Sequence, residues 1–124
     1  MRTEKVTYFT EKEDEFVTLL MRIGTNKNVA KVLVFLNANL KSTSRQIERG
    51  TDLRQSEVSL AIKYMISHGW LLVHEKKHER NARLVKIYEL AKPITDILDS
   101  IQKELENEAD NQLILIRKLR KYSE

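Results

Sequence analysis

Gln55, Ser56, Ser59 and Lys63 concentrate hydrogen-bonding capacity in one short stretch of this 124-residue chain. Gln55 offers an amide donor and acceptor, the two serines a hydroxyl each, and Lys63 a mobile positive charge. If the stretch is helical, the four fall on one side of it. Short or flexible hydrogen-bonders grouped in this way suit phosphate oxygens and base edges in a major groove. Covalent chemistry finds much less to work with. The chain has no cysteine, which removes disulfides, thiolate catalysis and thiolate metal sites together. His74 and His78 are four apart, a metal spacing on a helix, but on a strand that interval spans about 13 Å. No carboxylate or cysteine completes a ligand set around them. No Ser-His-Asp or Cys-His order, phosphate loop or Rossmann glycine run occurs. The expectation is a protein that binds rather than catalyses, with no metal and no cofactor.

The elements that must position these side chains are legible around them. Val58, Ala61, Ile62, Met65 and Ile66 recur at i, i+3/i+4 spacing, so Gln55 to His68 reads as an amphipathic helix. Gly69 stands where such a helix ends. A short helix, Ser44 to Arg49, precedes it with Ile47 inward and Ser42 or Thr43 as its cap. Gly50, Thr51 and Asp52 read as a break, and Leu53 as an apolar anchor in the turn. Helix, tight turn and longer helix together make a helix-turn-helix pattern. Upstream, Thr10 to Glu13 fits a capping box for a helix of about Glu11 to Ile23, with Phe16, Leu19, Leu20 and Ile23 on its apolar face. Met1 to Phe9 has no periodicity and reads as a frayed arm. Lys27 to Asn37 is apolar nearly all round, which predicts a buried central helix. Downstream, Trp70 to Val73 and Leu84 to Leu90 read as strands. Between them Glu75 to Arg83 is a polar, basic run that connects the two strands of a hairpin with a basic tip. Trp70 and Tyr88 read as hairpin core.

This order, with inward Ile47, Leu53, Val58 and Met65, the helix-ending Gly69 and a basic hairpin ending in Tyr88-Glu89-Leu90, resembles the winged helix-turn-helix transcriptional regulators of the MarR-like and ArsR-like type, small archaeal members in particular. The resemblance covers roughly residues 28–91. It implies a mainly α (α+β) fold: a winged helix with a β-hairpin wing and a long C-terminal dimerisation helix. It also implies double-stranded DNA as partner. Carried over to the matching positions, Arg54 clamps a phosphate or pairs with guanine, Gln55 pairs with adenine, and Ser56 lies beside them at the end that enters the groove. Ser59 and Lys63 meet phosphates. Thr43, Ser44 and Arg45 open the preceding helix, where they either meet a phosphate or only cap. Lys77, His78, Arg80, Asn81 and Arg83 form the wing tip, which can enter a narrow minor groove or be an ordinary solvated turn. Either Arg54 or Asp52 starts the recognition helix. The missing cysteines depart from the metal-sensing ArsR-like branch.

The tail carries the other pattern. After Pro93, read as a first-turn residue, Ile94, Leu98, Ile101, Leu105, Glu108, Gln112, Leu115, Leu119 and Tyr122 alternate by four and three, a heptad series. Glu108 and Gln112 either interrupt one stripe or mark a bend between two shorter helices. A stripe of that length needs a partner; a second copy is the simplest one, and the alternative is that the helix folds back on the first helix of its own chain. Ile94, Leu98, Ile101, Leu105, Leu115 and Leu119 are the expected dimerisation residues. The resemblance implies a homodimer on an inverted repeat, with half-sites roughly 34–36 Å apart.

Charge agrees with this division. The net +4 is unevenly spread: residues 41–86 carry +5, residues 1–40 carry +1 and residues 87–124 carry −2. The excess lies on the expected DNA-reading unit. The expected domains are 11–92 for DNA binding and 93–122 for dimerisation. No apolar run approaches the ~20 residues of a membrane span and no apolar signal segment opens the chain, so the expected location is cytoplasmic. Nothing in the sequence names a small-molecule effector. The reading from another functional class is a winged-helix protein-interaction module within a larger, transcription-related assembly.

Overall fold

The computed structural model describes residues 9–77, 80 and 83–124. Its elements run α1 (Glu11–Arg22), α2 (Lys27–Ala38), α3 (Ser44–Thr51), α4 (Gln55–Ser67), β1 (Leu71–Lys77), β2 (Leu84–Leu90) and α5 (Ile94–Tyr122). They form two units, one ending at Ala91 and the other comprising Lys92–Glu124. The arm expected at the N-terminus lies, except for its last residue, outside the described residues.

In the first unit α2 is the central post. Val29, Ala30, Val32, Leu33, Val34 and Leu36 are all buried, and the helix packs against α1, α3 and α4. Asn26 starts it by accepting hydrogen bonds from the Asn28 and Val29 amides at 2.9 and 3.3 Å, a role the sequence reading did not assign. α1 opens on the expected capping box: the Glu13 amide donates to Thr10 Oγ1 at 3.1 Å and the Thr10 amide to Glu13 Oε1 at 2.9 Å. Its buried face is rotated from the expected one. Val17 and Leu20 are inside, whereas Leu19 and Ile23 are about half exposed. Among the described residues α1 packs chiefly on α2, so only a narrow stripe of it is covered.

α3 is longer than its sequence pattern suggested. Gly50 does not break it: it is a buried helical residue, placed where a Cβ would come 2.0 Å from Phe35 Cε1. Glycine is there because α3 lies close against α2. The break falls at Asp52, which closes α3 in the left-handed conformation at φ 60. That rules Asp52 out as the cap of the next helix. Arg54 is the N-cap of α4, and its amide donates to Glu57 Oε1 at 2.9 Å. A guanidinium has no lone pair to cap with, so the Arg54 side chain is left for other use.

α4 ends in a Schellman turn. Gly69, at φ 73, donates its amide to Ile66 O, and Trp70 donates to Met65 O, each at 2.9 Å. The reversal puts Trp70 into the core at 3% exposure. There Tyr64 meets it edge-on and stacks on His68. Ile66, expected inside, is exposed, because α4 buries only Val58, Ala61, Ile62 and Met65.

The hairpin pairs Leu71 with Leu90 through to Lys77 with Leu84, antiparallel. β1 therefore runs through Glu75, Lys76 and Lys77, which the sequence placed in the polar stretch between the strands, Lys77 in the tip itself. From Leu72 onward β1 is exposed, as a finger leaving the body must be. Tyr88 joins Ser42 in an isolated bridge, its amide donating to Ser42 O at 2.8 Å and the Ser42 amide to Tyr88 O at 3.0 Å. The loop before α3 thus supplies a one-residue third strand that ties α3 to the wing.

In the second unit, α5 is one continuous helix of 29 residues, which decides between the two alternatives for the tail. Pro93 is its N-cap, not a first-turn residue. Ile97 and Ile101 are buried, while every residue from Gln102 onward is exposed. Ile97 lies off the expected heptad series, which named Ile94 and Leu98 on either side of it. No helix among the described residues is long and apolar enough to cross a membrane.

Candidate nucleic-acid interface

Burying Val58, Ala61, Ile62 and Met65 on one side of α4 leaves the other side open. Arg54, Gln55, Ser56, Ser59 and Lys63 are all exposed. Gln55, Ser59 and Lys63 border one shallow groove of about 270 Å³, facing Ser44 and Glu48 of α3 and Lys86 and Tyr88 of β2. Arg54 and Ser56 lie outside it.

A second and wider groove, about 630 Å³, adjoins it. Thr43, Ser44 and Arg45 form one wall, and Arg83, Leu84, Val85, Lys86 and Tyr88 form the other. Ser44, Lys86 and Tyr88 line both grooves. The Ser42–Tyr88 bridge is what holds these walls together. It ties the start of α3 to β2, so residues forty positions apart in sequence face one space.

Thr43 proves to be a working cap. Its hydroxyl accepts from the Gln46 amide at 3.2 Å and Gln46 Oε1 accepts from the Thr43 amide at 2.9 Å. Its side chain is thereby engaged, whereas Arg45 is exposed at the groove edge. Lys77 is the last residue of β1, paired with Leu84, and not part of the turn. Arg80 is exposed within the turn and Arg83 exposed where β2 begins. His78 and Asn81 lie outside the described residues. His74, half of the dismissed metal pair, sits with its Nε2 2.5 Å from Glu89 Oε2 across the hairpin. No cluster of three metal-ligating side chains occurs among the described residues.

Two groove residues escaped the sequence reading. Lys86 is exposed on β2 two positions from Tyr88, so the two share a strand face. That period-of-two signal could have found it. Glu48 is half-buried on α3 and adds a negative charge among Lys63, Lys86, Arg45 and Arg83. Such a carboxylate repels a phosphate placed directly on it, and accepts from a donor such as the cytosine amino group. Tyr88 lies at the back of both grooves, where burial pushes its phenol above the usual 10.0. It is therefore neutral near pH 7 and presents no negative charge to the grooves.

Four helices, a turn between the last two, and a hairpin bridged back to the loop before α3 make a winged helix-turn-helix fold. Solved structures of that class are similar to this chain. A possible transcriptional regulator from Methanosarcina mazei Go1 matches with a TM-score of 0.66 at 17% identity, over 85% of this chain and 87% of that one. TrmBL2, an archaeal chromatin protein described as having a novel mode of DNA binding, matches with a TM-score of 0.70 at 15% identity, over 88% of this chain and 39% of that one. A MarR-family transcriptional regulator from Silicibacter pomeroyi matches with a TM-score of 0.50 at 14% identity, over 81% of this chain and 65% of that one. The likeness is one of fold, and the fold is the one the resemblance to MarR-like and ArsR-like regulators implied. No family model matches the sequence, and no curated protein does.

Proposed function

We propose that this chain is a sequence-specific, double-stranded DNA-binding transcriptional regulator that acts as a homodimer on an inverted-repeat site. The observation that carries this reading is the open face of α4. Gln55, Ser59 and Lys63 border a groove that continues into a second one edged by Arg45, Arg83 and Lys86. A duplex laid along this face meets hydrogen-bonders for base edges in the middle and cations for phosphates at the side. In this assignment α4 is the recognition helix, with Arg54, Gln55 and Ser56 at its leading end. Ser59 and Lys63 hold phosphates, and Arg80 and Arg83 follow the backbone or minor groove beside it. Residues 11–92 are the reading domain and residues 93–122 the dimerisation segment. The exposed Leu105, Leu115 and Leu119 support self-association, because water-facing leucines on one helix face favour a partner that covers them.

Selection of bound duplexes from a random pool tests the proposal. An enriched palindrome, together with affinity that falls steeply as salt rises, is the expected result. Binding with no enriched sequence leaves a non-specific DNA-coating protein, and no binding at low salt ends the reading.

One observation favours a second reading. Leu60 is 67% exposed and Tyr64 41% exposed on the outer side of α4, an apolar pair suited to docking on another protein. A winged-helix interaction module would keep its partner when Gln55 and Lys63 are replaced and lose it when Leu60 and Tyr64 are.

A further inference from the structure

The apolar row of α5 can be covered by a second copy in two directions, and the side chains of the helix discriminate between them. From Gln102 to the end the helix is exposed throughout, with Leu105 42%, Leu115 56% and Leu119 65% open to solvent. In the heptad series Leu105, Gln112 and Leu119 share one core position, and Ile101, Glu108 and Leu115 share the other. A parallel pair puts like against like. Glu108 then faces Glu108 of the partner subunit, two carboxylates in one partly desolvated layer, where each charge is costly without a donor. An antiparallel pair centred on Asp110 matches the two positions crosswise. Leu105 meets Leu115 of the partner subunit and Glu108 meets Gln112 of the partner subunit, while Ile101, already buried within its own chain, adds no layer. The Gln112 amide is a donor the carboxylate can use. The same register puts Glu104 beside Lys118 of the partner subunit on the rim. Leucine meets leucine in either direction, so the polar layer decides, and it favours the antiparallel one.

We propose that two copies of this chain associate through an antiparallel pairing of α5 about Asp110, with two Glu108–Gln112 layers at its centre. The proposal rests on the homodimer reading above and adds its direction and register. It has a consequence for DNA. At about 1.5 Å rise per residue, the two helix starts at Ile94 lie about 48 Å apart along the pair. The chains enter α5 at those starts, so the reading domains are tethered at opposite ends of a rod. The tethers are further apart than the roughly 34–36 Å of adjacent half-sites, which favours half-sites more than one turn apart.

The absence of native cysteine makes the test direct. Glu108→Cys and Gln112→Cys are prepared as separate full-length chains; both positions are exposed, so folding is little affected. Each is oxidised alone and after mixing, with the association state followed by light scattering. The expected result is a disulfide-linked pair in the mixture and little in either chain alone. A spin label on Ser123→Cys should report a pair distance near 39 Å, from 26 residues of offset at about 1.5 Å each. Efficient self-linking of each variant, with little cross-linking beyond it, overturns the direction and leaves the homodimer standing. A dimer that links in neither way overturns the register and the face. A chain that scatters as a monomer at every concentration overturns the homodimer as well.

Discussion

Replacing Gly50 by alanine tests the contact that sets the helix-turn-helix on its central support. The added Cβ would lie 2.0 Å from Phe35 Cε1, 2.6 Å from Cδ1 and 2.7 Å from Cζ. Carbon atoms rest at about 3.5–4.0 Å, so ring and helix must part by about 1.5 Å. Phe35 is half-buried, so the ring can give part of this distance on its open side, while Val34 and Leu36 on either side of it are buried and hold α2 in place. Overpacking of this kind costs about 1–3 kcal/mol, and an overlap across three ring atoms belongs at the upper end. Against it stands the better helix propensity of alanine, about 1 kcal/mol. Gly50 has no positive φ, so backbone strain adds nothing. The net expectation is a loss of about 2 kcal/mol, or a Tm lower by roughly 10 °C for a domain of this size. Urea unfolding of the two chains measures it. A Phe35→Leu background provides the internal control: with the ring gone, Gly50→Ala should be close to neutral, giving a coupling above about 1 kcal/mol. If Gly50→Ala is as stable as the parent, or if its cost is unchanged without the ring, the close approach of α3 to α2 is not what requires glycine there.

Other outcomes follow from the candidate interface. Lys86→Ala should weaken binding to all duplexes alike and reduce the slope of log affinity against log salt by about one, measured by fluorescence anisotropy across a salt series; an unchanged slope removes Lys86 from the phosphate contacts. Gln55→Ala should change which sequences are enriched from a random pool, a wrong base pair at its position losing about 1–3 kcal/mol of discrimination; an unaltered consensus shows that Gln55 reads no base. Burial raises the Tyr88 pKa, so above pH 10 the unfolded chain gives up this proton while the folded chain keeps it. The unfolded state then binds fewer protons and stability falls as pH rises. Tyr88→Phe should flatten that alkaline decline in urea unfolding, and an unchanged decline would assign it to other groups.

Much of this protein could be read from residue order, because the signals are local. Thr10 with Glu13 and Thr43 with Gln46 are capping pairs three residues apart, and both form. The apolar spacing of Val58, Ala61, Ile62 and Met65 made α4 helical and oriented its polar face. Gly69 ended it, since a left-handed residue is needed there and glycine adopts it at no steric cost. The unbroken run after Pro93 permitted one helix without requiring it.

What escaped the sequence depended on residues far apart. Gly50 carries the same letter whether it ends a helix or lies beneath an aromatic ring, and only the placement of Phe35 on α2 decides which. Leu19, Ile23 and Ile66 match their helical periods yet lie exposed, because period alone does not say how wide a stripe the neighbouring elements cover. The pairing of Ser42 with Tyr88 has no signature in either segment. That bridge brings Arg45, Arg83 and Lys86 to one groove. Local sequence determined which faces this chain offers, through periods and caps that act within a few residues. Tertiary packing decided which of those faces meet, because the energies that join them arise only between elements already brought together.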